Sequence, residues 1–250
     1  MRRFLILLVV LTGELFPIQA MSHAIDSVES VHNHFRSRRY IAPAVFGLAT
    51  VVAWRDDGFF SRGGVYNWRQ ENYPQFSRRA DNVLQYLPAG AMLLSEALTR
   101  GEPGHFKMAI VRFAKAEAFM FVMAHSIKNL TSVERPSGSN DHSFPSGHTS
   151  QAFLSATYLH RELSDPRFDG LKGRKWIIAS GYVAAATVGT FRILNNAHWL
   201  TDVLAGAAVG MLTGNLAYDI WPTKPNRSMD VSLHPYWNGT GGISLTATFK

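Results

Sequence analysis

The chain has 250 residues, room for one domain with a real core, and 46% apolar against 17% charged residues excludes a disordered chain. It has no cysteine, which excludes disulfides, thiolate metal sites and a cysteine nucleophile. A formal charge of +7 suits anionic partners such as phosphate esters or an anionic membrane surface. The one dense basic cluster, Arg36-Ser37-Arg38-Arg39, comes without a nucleic-acid-binding motif, so nucleic acid is not an expected partner.

Arg2-Arg3 precede the apolar run Phe4–Leu11, and small residues follow at Ser22 and Ala24. That is the order of a secretory signal, so residues 1–24 are expected to be a leader and the rest to be exported, on the periplasmic side. An uncleaved anchor helix is the other reading of this segment. Five apolar blocks follow, Ile41–Trp54, Val83–Leu98, His105–Ile127, Trp176–Phe191 and Val203–Tyr218, each long enough for a helix. None reaches about 18 uncharged residues, the length expected of a spanning helix. The His105 block carries Lys107, Arg112, Lys115 and Glu117, and mean hydropathy is -0.04. A soluble or peripheral protein is therefore expected in preference to an integral membrane protein.

Turn residues separate the blocks. Arg55–Tyr73 holds Gly58, Gly63 and Gly64 and reads as a loop, as do Thr99–Gly104, Arg135–Gly147 and Asp165–Gly173, and Pro222 to Pro225 end the last block. From Met229 a weak alternation (Val231, Leu233, then Ile243, Leu245, Ala247, Phe249) flanks Asn238-Gly239 and predicts a small β-hairpin. The expected organisation is an all-α domain over 25–228 and a tail, 229–250, carrying the hairpin.

Polar residues concentrate in three segments. Lys128 and Arg135 lie seven apart, and Pro136 ends any helix there; taken singly, such cations read as snorkelling or surface charges. Pro145-Ser146-Gly147-His148 leads into Thr149–Ala156, a good helix sequence. Free N–H groups at such a start favour an anion, Gly147 permits close backbone approach, and His148 stands beside that spot. A Ser-capped helix with an exposed histidine is the plainer reading. His198 and Asp202, four apart, would share a helix face. Asp202 would then accept from His198 Nδ1–H and leave Nε2 as a lone pair for attack. Arg192, six residues before His198, offers a fork of donors that matches phosphate. A structural His–Asp pair is the alternative.

Together the three segments resemble the signature of the type-2 phosphatidic acid phosphatase and vanadium haloperoxidase superfamily. That signature is Lys, six residues, Arg-Pro; then Pro-Ser-Gly-His; then Ser-Arg, five residues, His, three residues, Asp. Lys128, Arg135-Pro136, Pro145 to His148, Arg192, His198 and Asp202 match at the same internal spacings, so the resemblance spans 128–202. Phe191 stands where the family has Ser, and the spacer between Pro136 and Pro145 is short for the family.

The resemblance implies an all-helical bundle of the acid phosphatase and vanadium haloperoxidase type. It implies a metal-independent phosphatase acting on phosphate monoesters or pyrophosphates of lipids. His198 would attack phosphorus to form a phosphohistidine, Asp202 would orient its ring, and His148 would protonate the leaving oxygen. Lys128, Arg135, Arg192, Ser146 and Gly147 would hold the phosphate. No metal or cofactor is expected, and vanadate is expected to inhibit as a transition-state mimic. The alternatives are a soluble non-specific acid phosphatase and a vanadate-dependent haloperoxidase, the latter disfavoured by the short chain. His23, His32 and His34 form the one local histidine cluster and are read as incidental.

Overall fold

Gly206, Gly210 and Gly214 recur every fourth residue along one helix, and this stripe sets how the chain packs. In the computed structural model, residues 37–55, 58–98, 104–221, 229–237 and 241–249 are described. The leader expected over 1–24 lies outside them. The helices are α1 (Ile41–Ala53), α2 (Arg62–Asn72), the single turn α3 (Asp81–Leu84), α4 (Leu87–Leu98), α5 (His105–Thr131), α6 (Gly147–Leu163), α7 (Arg174–Leu194) and α8 (Leu200–Ile220). Two antiparallel strands, β1 (Met229–Trp237) and β2 (Gly241–Phe249), form the C-terminal hairpin, with Met229 opposite Phe249 and Trp237 opposite Gly241. The all-α expectation with a terminal hairpin therefore holds.

The glycine stripe of α8 faces α6. A Cβ on Gly206 would lie 2.7 Å from the Ser146 carbonyl oxygen, and one on Gly214 would lie 3.2 Å from Thr157 Cβ. Only glycine lets the two backbones approach this closely, as at small-residue helix interfaces generally. Helix α6 is consequently the central element, and its Leu154, Tyr158, Leu159 and Leu163 are fully buried against Met92 of α4 and Ala109, Ala116 and Met120 of α5. A second cluster joins Phe153 and Ala156 of α6 to Ala185 and Val188 of α7 and Met211 of α8. Long helices alternate in direction. Tyr40, just before α1, bonds Asp219 near the end of α8 (2.8 Å), whereas Trp54, just after α1, packs edge-on against Phe144, just before α6. Both His148 and His198 lie at the Trp54 end.

The segment read as a loop over Arg55–Tyr73 contains an 11-residue helix, α2. Ser61 accepts a hydrogen bond from Gly64 N (2.9 Å) and caps it. Its Arg69 Nε donates to the Leu194 carbonyl (2.9 Å), which lays α2 across the end of α7.

The expectation of a soluble or peripheral protein is not met. Helices α7 and α8 each have 21 residues, about 31 Å at 1.5 Å per residue, with mean hydropathies of 1.5 and 1.3 over their most apolar windows. Large apolar side chains face outward along the bundle: Leu48 and Val52 on α1, Val122 and Leu130 on α5, Trp176 and Val183 on α7. Exposed large apolar side chains on several successive helices fit a surface that meets lipid. Two of the four charges that argued against spanning point inward, while Lys107 and Lys115 are exposed. Arg112 pairs with Glu162 of α6 (3.4 Å), and Glu117 accepts from Gln151 Nε2 of α6 (2.5 Å). A count of uninterrupted apolar residues cannot distinguish a charge facing a neighbouring helix from one facing lipid.

Candidate active site

Three backbone turns bring the signature together. Helix α5 ends at Thr131 with Ser132 in the left-handed region (φ 45°), and the chain then runs through Arg135 to Ser143. Ser143 N donates to Val133 O (2.9 Å), closing this loop on itself. Ser146 N donates to Asp202 O (2.9 Å) and joins the start of α6 to the start of α8. Asn196, at φ 56°, turns the chain between α7 and α8, and Ala197 N and His198 N both donate to Arg192 O (3.1 and 3.2 Å). Asparagine is among the few side chains that accept that backbone conformation readily.

His198 and Asp202 do meet, but not along a helix face as their spacing suggests. Helix α8 begins only at Leu200, so His198 lies in the preceding turn. Asp202 Oδ2 accepts from Trp199 N (2.9 Å), which folds the turn back and sets His198 Nδ1 3.3 Å away. Ser143 Oγ donates to the same oxygen. His198 is 3% exposed and Asp202 fully buried. Burial pushes the His198 imidazole down to about 4, against the hydrogen bond and charge of Asp202, with Arg192 and Arg135 adding to the depression. The ring is thus neutral at neutral pH, and with Nδ1–H directed at Asp202 its Nε2 carries the lone pair.

His148 sits in the first turn of α6, half-buried, and its Nε2–H donates to Asn82 Oδ1 (2.9 Å). Burial pushes it down to about 4, with Arg192, Arg135 and Lys128 acting in the same direction and Asp81 opposing. A Cβ built on Gly147 would meet no atom within 4 Å, so the start of α6 opens onto free space. Ser146 is fully buried; its hydroxyl accepts from Thr149 Oγ1 (2.9 Å).

The three cations are held differently. Arg192 Nη1 donates to Asp81 Oδ2 (2.7 Å), while its Nε is buried with no hydrogen-bond partner among the described residues. Arg135 Nε donates to Asn140 Oδ1 (2.9 Å) and Nη1 to Ala197 O (3.3 Å). Lys128 directs Nζ at three carbonyl oxygens, of His142 (3.1 Å), Ser143 (3.2 Å) and Pro145 (2.5 Å). It therefore clamps the loop before α6 and brings its charge to the site through that loop. Phe191, at the position of the family Ser, packs against Phe76 at 5.5 Å between ring centroids and offers no polar group.

Sequence reasoning missed Asp81 and Asn82. These neighbours on α3 hold Arg192 and His148 from across 111 and 66 residues. An Asp-Asn pair before an apolar block reads as a helix cap, which disguises the role. Ser143 was missed likewise, being one of several polar residues in a loop. Among the described residues no group of three or more His, Asp or Glu is arranged to hold a metal ion.

Residues 113–225 match the PAP2 superfamily. Lipid A 1-phosphatase of Porphyromonas gingivalis is 37% identical over 144 residues, 57% of this chain and 31% of that protein, so the chain spans about a third of that relative's length. A solved structure, a transmembrane PAP2-type phosphatidylglycerolphosphate phosphatase from Bacillus subtilis, aligns with a TM-score of 0.51 at 19% identity, over 73% of this chain and 95% of that one. LpxE from Aquifex aeolicus aligns over 60% of this chain and 92% of that one, at 24% identity and a TM-score of 0.42. A transmembrane protein of the same fold completes the correction of the soluble or peripheral expectation. The PAP2-superfamily match over residues 113–225 takes in every signature residue from Lys128 to Asp202.

Proposed function

We propose that the chain is a membrane-embedded phosphoric ester hydrolase, cleaving phosphate monoesters or pyrophosphates of lipids through a phosphohistidine on His198, without a metal. The observation that carries this reading is Arg192. It stands at the end of α7 with Nη1 held by Asp81 at 2.7 Å, and its buried Nε has no hydrogen-bond partner among the described residues. Three cations around two neutral histidines, with a desolvated donor left over, form a site for a phosphate-sized anion.

The chemistry follows from the ring tautomers. His198 Nε2 attacks phosphorus in line as the P–O bond to the leaving alcohol breaks. Asp202 accepts from Nδ1–H and stabilises the positive ring that results. The substrate phosphate brings the proton: it passes to His148 Nδ1, the nitrogen left free because Nε2–H is directed at Asn82, and from there to the leaving oxygen. His148 then removes a proton from water, the hydroxide attacks phosphorus, and the P–N bond breaks to restore His198. Arg192 and Arg135 hold the equatorial oxygens with the N–H groups at the start of α6, and Lys128 adds charge through its loop. A lipid substrate is supported by the outward apolar surface of the bundle and by the relative that acts on lipid A.

The test is phosphate release in EDTA by purified protein in detergent. The panel holds a phosphatidate, a polyprenyl pyrophosphate, lipid A and a soluble aryl phosphate, with His198→Ala as control. His198-dependent release from a lipid, inhibited by vanadate, is expected. Release abolished by EDTA and restored by a divalent ion would sink the metal-independent mechanism. Absence of release from folded protein would sink the phosphatase reading.

A further inference from the structure

The dense basic cluster of the sequence ends in Arg38 and Arg39, which the chemistry at His198 does not use. Both line a cavity of about 420 Å³ at the far end of the bundle, where Tyr40 meets Asp219. His160 and Arg161 in the last turn of α6, Pro43 of α1 and Tyr182 of α7 line it as well. His160 lies twelve residues beyond His148 on α6, about 18 Å at 1.5 Å per residue, so the cavity is separate from the active site.

Positive charge exceeds negative there. Arg39 Nη1 and Arg161 Nη2 share one carboxylate oxygen, Asp219 Oδ1, at 3.2 and 2.6 Å. Arg38 is exposed on the cavity and adds a third cation. Asp165, an acid that lines the cavity, is engaged by Arg167 Nε (3.2 Å). The Tyr218 ring, 4.5 Å from the Arg161 guanidinium carbon, holds that group in place. Arg161 Nη1 is buried with no hydrogen-bond partner among the described residues. A desolvated donor without an acceptor costs stability, and an anion that accepts from the guanidinium removes that cost. The flanks of the cavity are apolar. Ile41 and Val45 on α1, and Val183 beside Tyr182 on α7, are exposed. Phe46 of α1 and Tyr182 of α7 each pack on Phe153 of α6, at 5.8 and 6.5 Å between ring centroids, so both helices border α6 there.

We infer that this cavity binds the phosphodiester head group of an anionic glycerophospholipid from the surrounding bilayer, at the membrane face opposite the active site, as a structural ligand and not a substrate. Basic pockets between membrane helices take anionic head groups in this way. The exposed apolar side chains of α1 and α7 then meet the acyl chains, a contact that a soluble phosphate lacks. The inference rests on the bundle being embedded in a bilayer and is independent of the chemistry at His198. The plainer account makes Arg39, Arg161 and Asp219 a clamp that ties α1 and α6 to α8, with Arg38 a surface charge. The two accounts differ in how stability depends on lipid.

The experiment measures Tm of the full chain in a neutral detergent, alone and with phosphatidylglycerol, phosphatidylcholine or inorganic phosphate. Wild type is compared with Arg38→Gln, the double variant Arg38→Gln/Arg161→Gln, and Arg192→Gln, which weakens anion binding at the active site instead. The quantity read is the rise in Tm on addition, each protein against itself in detergent alone. Phosphatidylglycerol at tenfold excess over its Kd should raise wild-type Tm by about 3–6 °C, and phosphatidylcholine by less than half as much. The rise should persist in Arg192→Gln. Arg38→Gln should weaken binding about tenfold and cut the rise by more than half, and the double variant should show none. A clamp lowers the starting Tm of the double variant and leaves the rise intact, and that result would overturn the inference. Equal rises with both lipids, a rise reproduced by inorganic phosphate, a rise lost in Arg192→Gln, or no rise in wild type would overturn it too. If the double variant does not fold, Arg38→Gln decides alone, because Arg38 is exposed and takes no part in the clamp; an undiminished rise there also sinks the inference.

Discussion

Gly206→Ala adds one methyl group away from the reacting atoms and should still slow the reaction. The new Cβ would lie 2.7 Å from the Ser146 carbonyl oxygen and 3.1 Å from Thr149 Cβ, on either side of His148 in the chain. Ordinary contact begins at 3.4 Å, so relief from 2.7 Å requires Ser146 to retreat by about 0.7 Å. Ser146 cannot move alone, because its N–H is bonded to Asp202 O and its carbonyl accepts from Ser150 N (2.9 Å each). The start of α6 must shift against α8, carrying His148 away from His198. Overpacking of this kind costs about 1–3 kcal/mol. A misplacement approaching 1 Å costs up to about 100-fold in rate, so kcat should fall roughly 10- to 100-fold. Gly214→Ala is the control: its Cβ meets the Thr157 side chain at 3.2 Å, two turns from the site, and should lower stability with little change in kcat. The assay is phosphate release from a lipid substrate at saturation, with thermal unfolding measured in the same detergent. A Gly206→Ala enzyme with wild-type kcat, or equal kcat losses in both variants, would refute the coupling between helix spacing and the site.

Three further outcomes follow from the site. Asn82→Ala removes the acceptor that orients His148, so kcat should drop about tenfold with alkyl phosphates and less with activated aryl phosphates, which need no acid; equal effects would remove Asn82 as a positioning residue. Asp202→Asn should lower kcat by about 10²–10⁴ through the wrong His198 tautomer, with little change in KM, and an unchanged rate would take Asp202 out of the mechanism. The third concerns pH. Free His148 and His198 both sit at about 4, so above that pH the proton for the leaving oxygen must arrive with the substrate. A phosphate monoester loses its second proton near pH 6, so kcat/KM should be flat from about pH 5 to 6 and fall about tenfold per unit above. A profile level to pH 9 would contradict this proton route.

The sequence alone carries more of the chemistry than of the surroundings. Lys128, Arg135, Ser146 to His148, Arg192, His198 and Asp202 were legible because the three segments together resemble one family signature at its spacings, where each alone had a plainer reading. Pro145 and Gly147 frame a helix start, and Asn195-Asn196 permits a turn. The all-α fold was legible through the apolar blocks, and the hairpin through Asn238-Gly239 and its alternating flanks. The four-residue recurrence of Gly206, Gly210 and Gly214 was also present in the sequence, but its meaning depends on which helix it faces.

Only the tertiary structure decided the rest. It set His198 in a turn and let the backbone N–H of Trp199 bring Asp202 to it. It directed Lys128 at carbonyl oxygens and joined Arg192 and His148 to Asp81 and Asn82. It turned Arg112 and Glu117 of α5 inward and left large apolar side chains facing outward, which reversed the soluble or peripheral expectation. Periodicity and spacing report which residues share a turn or a face of their own element. What that face meets is settled by packing between elements far apart in the chain, and a linear pattern does not encode it.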